Sequence, residues 1–313
     1  MESSEAEAKK GIVGTPHSVR IGSMAELSKR LSSNKSGNFF VDSNCIDCGA
    51  CQYLAPEIYR EAGEFSSVCR QPEAEEEVRD ALRALFACPV HSIGFTEKPS
   101  FLSEVRNSFP ERIEENIFYC GFHSEKSYGA FSYLIYREEG NILVDSPRFT
   151  KPLIRNLEKM GGVRYMFLTH QDDVADHEKF HLHFQCERII HSLDRNGMNA
   201  EIILQGSDDS KFSDDILFIP VPGHTRGSVC LLYKDRYLFS GDHLAYSDKR
   251  NHLVGFRDAC WYSRKELYLS MKKLQSYSFQ YVLPGHGKSY RAGTAEEMKE
   301  QMELCVRFLS EKF

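Results

Sequence analysis

Thr169-His170-Gln171-Asp172-Asp173-Val174-Ala175-Asp176-His177 sets imidazoles and carboxylates between an apolar run, Arg164 to Leu168, and a helical pattern, Ala175 to Phe184. A short apolar run followed by 3.6-residue periodicity reads as strand, loop and helix. The polar side chains therefore fall at the carboxyl end of a strand. Working outward, four more predicted strands end in the same way. Asn141 to Val144 runs into Asp145, and Ile216 to Val221 runs into Pro222-Gly223-His224-Thr225-Arg226-Gly227. Tyr237 to Phe239 runs into Ser240-Gly241-Asp242-His243, and Gln280 to Leu283 runs into Pro284-Gly285-His286-Gly287. Each alone has an ordinary explanation: a lone histidine is usually a surface or hydrogen-bonded residue, and Asp172 or Asp173 can cap the following helix. Together they predict one shared edge, where imidazole and carboxylate suit divalent zinc, iron or manganese.

The flanking segments fit a layered architecture. Ile113 to Tyr119 and Phe131 to Tyr136 read as strands, and a Glu138-Glu139-Gly140 turn separates the latter from Asn141 to Val144. Lys151 to Met160 reads as a helix ended by Gly161-Gly162, with strands at Arg188 to Ile190, Glu201 to Leu204 and Ser228 to Tyr233. Two late helices open with the capping boxes Ser263-x-x-Glu266 and Thr294-x-x-Glu297. Strand runs enclosed by helices predict an α/β sandwich. The order and spacing of the polar strand ends, over about residues 112–290, resemble the metallo-β-lactamase-fold superfamily. That resemblance implies an αββα sandwich with a metal site at one edge of its two sheets. Its ligands follow the pattern H-x-H-x-D-H, then a distant His, a bridging Asp and a final His.

Carried over position by position, His170 matches the first His, Asp176-His177 the closing pair, His224 the distant His, Asp242 the bridge and His286 the last. The sequence departs where Asp172 stands for the second His and two extra residues precede Asp176. The diiron flavoprotein branch of the superfamily also has an acid there. Three outcomes stay open: two metals on His170, Asp172, Asp176, His177, His224, Asp242 and His286; one metal on His170, His224, Asp242 and His286; or an empty site. The ions expected are one or two divalent zinc or iron. In the catalytic reading Asp242 bridges or ligates and Asp176 orients the nucleophile. His181, one helical turn after His177, is a substitute ligand.

A second pattern lies upstream. Cys45-Ile-Asp-Cys48-Gly-Ala-Cys51 places three thiolates on a tight loop, and Cys88-Pro89 returns a fourth from the far side of a predicted helix, Glu75 to Phe86. C-x2-C-x2-C with a later C-P is the arrangement of iron–sulfur ligation, whereas zinc, the alternative, favours paired C-x2-C units. Residues 38–98 resemble the single-cluster form of the bacterial-type ferredoxins, which implies one 4Fe-4S cluster on Cys45, Cys48, Cys51 and Cys88. Cys69 reads as a small buried residue. The expected organisation is a leader over 1–37, a ferredoxin-like α+β module over 38–98 and a metallo-β-lactamase-like module over 99–313.

Composition narrows the function. Lys and Arg total 39 against 45 Asp and Glu, a net charge of −6 that gives no reason to expect nucleic acid or an anionic membrane surface. No stretch approaches the roughly 18 apolar residues of a membrane span. Residues 40–98 hold 11 acids against 5 bases, a surface fit for a basic redox partner or a solvated helix. Ten cysteines without a disulfide-like spacing predict a thiol-keeping intracellular compartment. The leader is Ser-rich like a transit peptide, but Glu2, Glu5 and Glu7 depart from the acid-poor rule. The module order is similar to plant plastid and cyanobacterial fusions, which implies a chloroplast stroma.

Three functions follow as expectations. A metal that lowers the pKa of bound water predicts hydrolysis of an ester, thioester or lactone. A ferredoxin unit tethered to an iron site predicts electron delivery to oxygen, a peroxide or a sulfur substrate. A non-catalytic redox sensor is the third. Among weaker signals, Arg226 suits an anionic substrate group, and Cys120, His123 and Tyr128 suit the pocket mouth. Gly287-Lys288-Ser289 is set aside as a phosphate loop because Val282 stands where a glycine is needed.

Overall fold

The computed structural model describes residues 25–310, so the 1–24 part of the leader, with Ser23 of a possible Ser23-x-x-Glu26 cap, lies outside the described residues. The first module begins with two short apolar runs that pair antiparallel, β1 (Phe39–Val41) and β4 (Ile93–Phe95). Between them come α1 (Ala50–Leu54), the hairpin β2 (Tyr59–Ala62) and β3 (Phe65–Val68), and α2 (Glu75–Ala87). Helix α2 starts with three glutamates, whose charge suits a helix N-terminus. The Glu77 carboxylate also accepts from the Glu73 and Ala74 amides at 2.9 and 3.2 Å.

The acids of α2 do not stand alone. Arg79 pairs with Glu75 and Glu104, and Arg83 with Glu76, Asp80 and Glu111. Apolar residues from Phe39 to Ile93 form one cluster that α3 (Leu102–Arg106) closes with Leu102 and Val105. The core of this module thus continues past Pro99.

The second module has two mixed sheets. The first comprises β5 (Glu111–Glu114), β6 (Ile117–Tyr119), β7 (Tyr133–Ile135), β8 (Ile142–Val144), β9 (Tyr165–Phe167), β10 (Glu187–His191) and β11 (Ile202–Leu204), in spatial order from β11 back to β5. The second holds β12 (Ser210–Ser213), β13 (Ile216–Pro220), β14 (Val229–Tyr233) and β15 (Tyr237–Gly241). After the hairpin β16 (Leu244–Ser247) and β17 (His252–Gly255), β18 (Tyr281–Pro284) and β19 (Tyr290–Arg291) join that second sheet.

Side chains alternate along each strand, and the alternation separates three apolar layers. Ile142, Val144 and Phe167 of one sheet meet Phe218, Leu231 and Phe239 of the other, with the Phe167 and Phe218 rings stacked at 4.7 Å. Outside the first sheet, Leu143, Met166 and Leu168 pack under α4 (Lys151–Lys159) and α5 (His177–Phe184). Outside the second, Val221, Leu232 and Val282 pack under α6 (Arg264–Leu274) and α7 (Ala295–Ser310). This is the expected αββα sandwich, and the Ser263 and Thr294 hydroxyls cap α6 and α7 as read.

Two local readings differ. The run from Ile113 to Tyr119 is a hairpin that turns at Glu115, whose φ is 40°. β12, β16, β17 and β19 went unread, and β12 is polar and half exposed, so no alternation marks it. Among the described residues no helix is long and apolar enough to cross a membrane.

Candidate metal sites

The side chains that follow β8, β9, β13, β15 and β18 meet in space. His170 Nε2 lies 3.7 Å from Asp242 Oδ2 and 3.9 Å from Asp172 Oδ2. His224 Nε2 lies 3.3 Å from Asp172 Oδ2 and 3.7 Å from Asp242 Oδ2. Two ligand groups result, His170–Asp172–His224 and His170–Asp173–Asp242, each with its donor atoms within 4.8 Å of one another. Donor separations of this order are what bonds of about 2.0–2.2 Å to a common ion give.

The His170 and His224 rings are each aimed by a partner on Nδ1, as metal-ligating histidines require. The Thr169 amide and hydroxyl donate to Asp145 at 2.8 and 3.0 Å, and that hydroxyl sits 3.0 Å from His170 Nδ1. His224 Nδ1 donates to the Ala259 carbonyl at 2.5 Å. His286, expected as the last ligand, stands outside both groups: its Nδ1 donates to Asp242 at 2.7 Å and its Nε2 to the Tyr128 carbonyl at 3.3 Å, so it positions Asp242 and has no nitrogen free for an ion.

The residues fit a cation. His170 Nε2, His224 Nε2 and Asp173 Oδ2 are buried without a hydrogen-bond partner, a condition that buried polar atoms rarely tolerate. A Cβ at Gly285 would stand 2.7 Å from Asp173 Oδ2 and 2.8 Å from Asp242 Oδ1, so glycine lets those carboxylates converge.

Electrostatics agree with that fit. Burial, then Asp242 and Asp145, push the Asp173 carboxyl well above the usual carboxylate range. Burial raises Asp145 to about 7 against the Thr169 bonds. Asp242 is held low: burial opposes ionisation, but the rings of His286, His170 and His224 outweigh it. Burial holds His170 below the ordinary imidazole value, against the pull of Asp242.

The expected Asp176-His177 pair stands apart from these donors, which corrects the position-by-position carry-over. The Asp176 carboxylate is held by Lys126 at 3.1 Å, Lys179 at 3.0 Å and the Phe149 amide at 3.0 Å. His177 Nδ1 accepts from Arg188 at 3.2 Å. The inserted Val174-Ala175, with Ala175 at φ 27°, carries both to the start of α5. His181 faces the Cys186 carbonyl at 2.8 Å and does not substitute.

Asp173 enters in their place, and a family pattern reads past it as spacer; the doubled acid Asp172-Asp173, one residue beyond His170, was the available signal. His243 was missed too: both ring nitrogens are buried without partners, and burial, then His224 and His170, lower it to about 3. Arg226 lines a separate cavity of about 380 Å³ with His191, Pro222 and Tyr262. His123 holds the Tyr119 hydroxyl at 2.6 Å.

Cys45, Cys48, Cys51 and Cys88 line one pocket with Ser66 and Pro89. The Ser66 amide donates to Cys45 Sγ at 3.5 Å and the Ser92 amide to Cys88 Sγ at 3.2 Å, and such bonds favour thiolate and cluster sulfur. Burial pushes the Cys48 thiol up to about 12; a bound metal ion reverses that cost by deprotonating the thiol outright. Cys69 turns away, donating to the Ile58 carbonyl at 3.3 Å.

One segment touches both centres. The Tyr128 hydroxyl donates to the Ile46 carbonyl, inside the cysteine loop, at 2.6 Å. At Gly129, with φ 85°, an added Cβ would lie 2.9 Å from Cys48 Sγ. The Tyr128 carbonyl meets His286, which grips Asp242.

Comparison with known proteins assigns the first module to a class. Residues 41–95 match the family described as the 4Fe-4S single cluster domain of Ferredoxin I. Solved structures similar to this chain are metallo-β-lactamase-fold proteins. The DIM-1 metallo-β-lactamase is 19% identical, with 62% of this chain and 96% of that chain covered and a TM-score of 0.47. ETHE1 from Myxococcus xanthus is 19% identical, with coverages of 62% and 90% and a TM-score of 0.43. TTHA1623 in a di-iron-bound form is 22% identical, with coverages of 52% and 89% and a TM-score of 0.42. No curated protein matches the chain.

Proposed function

We propose that the chain is an iron-dependent oxidoreductase in which the cluster of the first module and a metal group of the second work as one electron-handling unit. The observation that carries this reading is the Tyr128–Gly129 segment, packed on Cys48 at one end and hydrogen-bonded to His286 at the other. Two histidines with a carboxylate, here His170 and His224 with Asp172 or Asp242, are the donor set of non-haem iron. Bound there, such an iron supplies one-electron chemistry toward oxygen, a peroxide or a sulfur substrate.

The chain's own groups do the rest. Asp145, through Thr169, turns His170 so that its Nε2 faces the donors. Ala259 does the same for His224, and His286 fixes Asp242.

Hydrolysis of an ester, thioester or lactone is the second reading, favoured by one observation. Asp173 Oδ2 is buried without a hydrogen-bond partner at the converging carboxylates, a position from which a carboxylate can accept a proton from water.

Anaerobic metal analysis with spin-resonance spectroscopy decides between them. The expected result is one or two irons beyond the four of the cluster, with the reduced cluster's signal broadened by the second centre. Zinc in the second module, with ester turnover indifferent to Cys45→Ala, supports hydrolysis and overturns the redox reading.

A further inference from the structure

The loop after β8 carries an arginine that neither metal group uses. Arg148 follows Asp145-Ser146-Pro147 and reaches back across the module boundary. Its Nη1 donates to the Pro89 carbonyl at 3.4 Å and to His91 Nε2 at 2.5 Å, and its Nη2 donates to the Phe86 carbonyl at 3.4 Å. These partners are two carbonyls and a neutral ring; the negative groups that act on the guanidinium are Cys88 first and then Asp176, a carboxylate already paired with Lys126 and Lys179. Its Nε is buried and makes no hydrogen bond.

Pro89 adjoins the cluster cysteine Cys88, and both line the cluster pocket. Desolvation of a cation is costly, and an isolated one persists only where a nearby negative charge compensates it. Four thiolates on a cluster are such a charge. His91 stays uncharged beside the guanidinium: burial, then Arg148 itself, lower it to about 4.

We propose that Arg148 is the counter-charge of the cluster, supplied by the sandwich module, and that it sets the cluster's reduction potential. Reduction adds one electron to the cluster without making or breaking a bond. A fixed cation beside Cys88 stabilises the more negative, reduced state. Hydrogen bonding, net charge and exposure are the levers by which a protein tunes such clusters. A merely structural role is also available, since Phe86 belongs to the last turn of α2 and a cation there suits the helix end. The proposal stands on the cluster alone and holds whichever metal the second module binds.

The test is a redox titration of the full chain, with dithionite as electron source and the spin-resonance signal of the reduced cluster as readout. Arg148→Gln keeps a donor for the carbonyls but removes the charge. It is expected to lower the equilibrium constant for reduction about tenfold, which is ~59 mV for a one-electron couple. Arg148→Lys is expected to restore most of the difference. An unchanged potential in Arg148→Gln, or an equal fall in both variants, overturns the proposal. Should Arg148→Gln lose its cluster, His91→Asp keeps the guanidinium and sets a carboxylate against it, at a position (φ 57°) that aspartate tolerates. It is expected to lower the potential comparably, and no shift there overturns the proposal.

Discussion

Replacing His224 with alanine is expected to empty the His170–Asp172–His224 group of the second module and leave both the His170–Asp173–Asp242 donors and the cluster of the first module in place. His224 Nε2 faces both Asp172 and Asp242, while its Nδ1 is tied to Ala259. Without it His170 is the one imidazole left in the His170–Asp172–His224 group. Loss of an outer partner already costs 10- to 100-fold in metal affinity, and loss of a direct donor is expected to exceed that. The four cysteines share no donor with this group, so iron bound to them is expected to persist.

His177→Ala provides the contrast. A family pattern makes His177 a ligand, whereas here it accepts from Arg188 at the surface of α5. Its removal is expected to leave metal content unchanged. Elemental analysis of both variants after identical loading checks this, and equal loss in the two returns Asp176-His177 to the site.

The contrast shows where the sequence was legible. Strand ends were readable because each polar residue follows an apolar run, and that placed His170, His224, Asp242 and His286 without coordinates. Cys45, Cys48, Cys51 and Cys88 were readable because their spacing is local and few chemistries use it. The path of the chain between His170 and His177 was not readable. Spacing counts residues, but the positive φ at Ala175 and the lysines that grip Asp176 decide which carboxylates turn inward. Lys126 comes from a loop 50 residues earlier, so no local pattern reports it. Arg148 was silent for the same reason: its partners are two carbonyls and the His91 ring of another module, more than 50 residues away in sequence, so no local pattern reports them.

Asp173→Asn is expected to have opposite effects on the metal-free and metal-loaded protein. Without metal, Asp145, Asp173 and Asp242 share one buried volume, and of the three Asp242 is the one hydrogen-bonded to an imidazole, that of His286. The folded-state pKa of Asp173 lies above its unfolded value, so its contribution to stability is present at low pH and lost as pH rises through the folded pKa. Asparagine matches the shape of the protonated carboxyl and cannot ionise. The chelated variant is therefore expected to be more stable than the chelated parent at alkaline pH, by about 1–3 kcal/mol, the cost of an unmatched buried polar group. The two are expected to converge as pH falls. With metal present the cation takes the place of the proton, Asp173 Oδ2 becomes a donor, and the parent gains the larger binding stabilisation. Thermal denaturation of both proteins, with chelator and with iron, across pH checks this. If the chelated variant is the less stable at alkaline pH and binds iron as well as the parent, Asp173 is a packing residue and not a ligand.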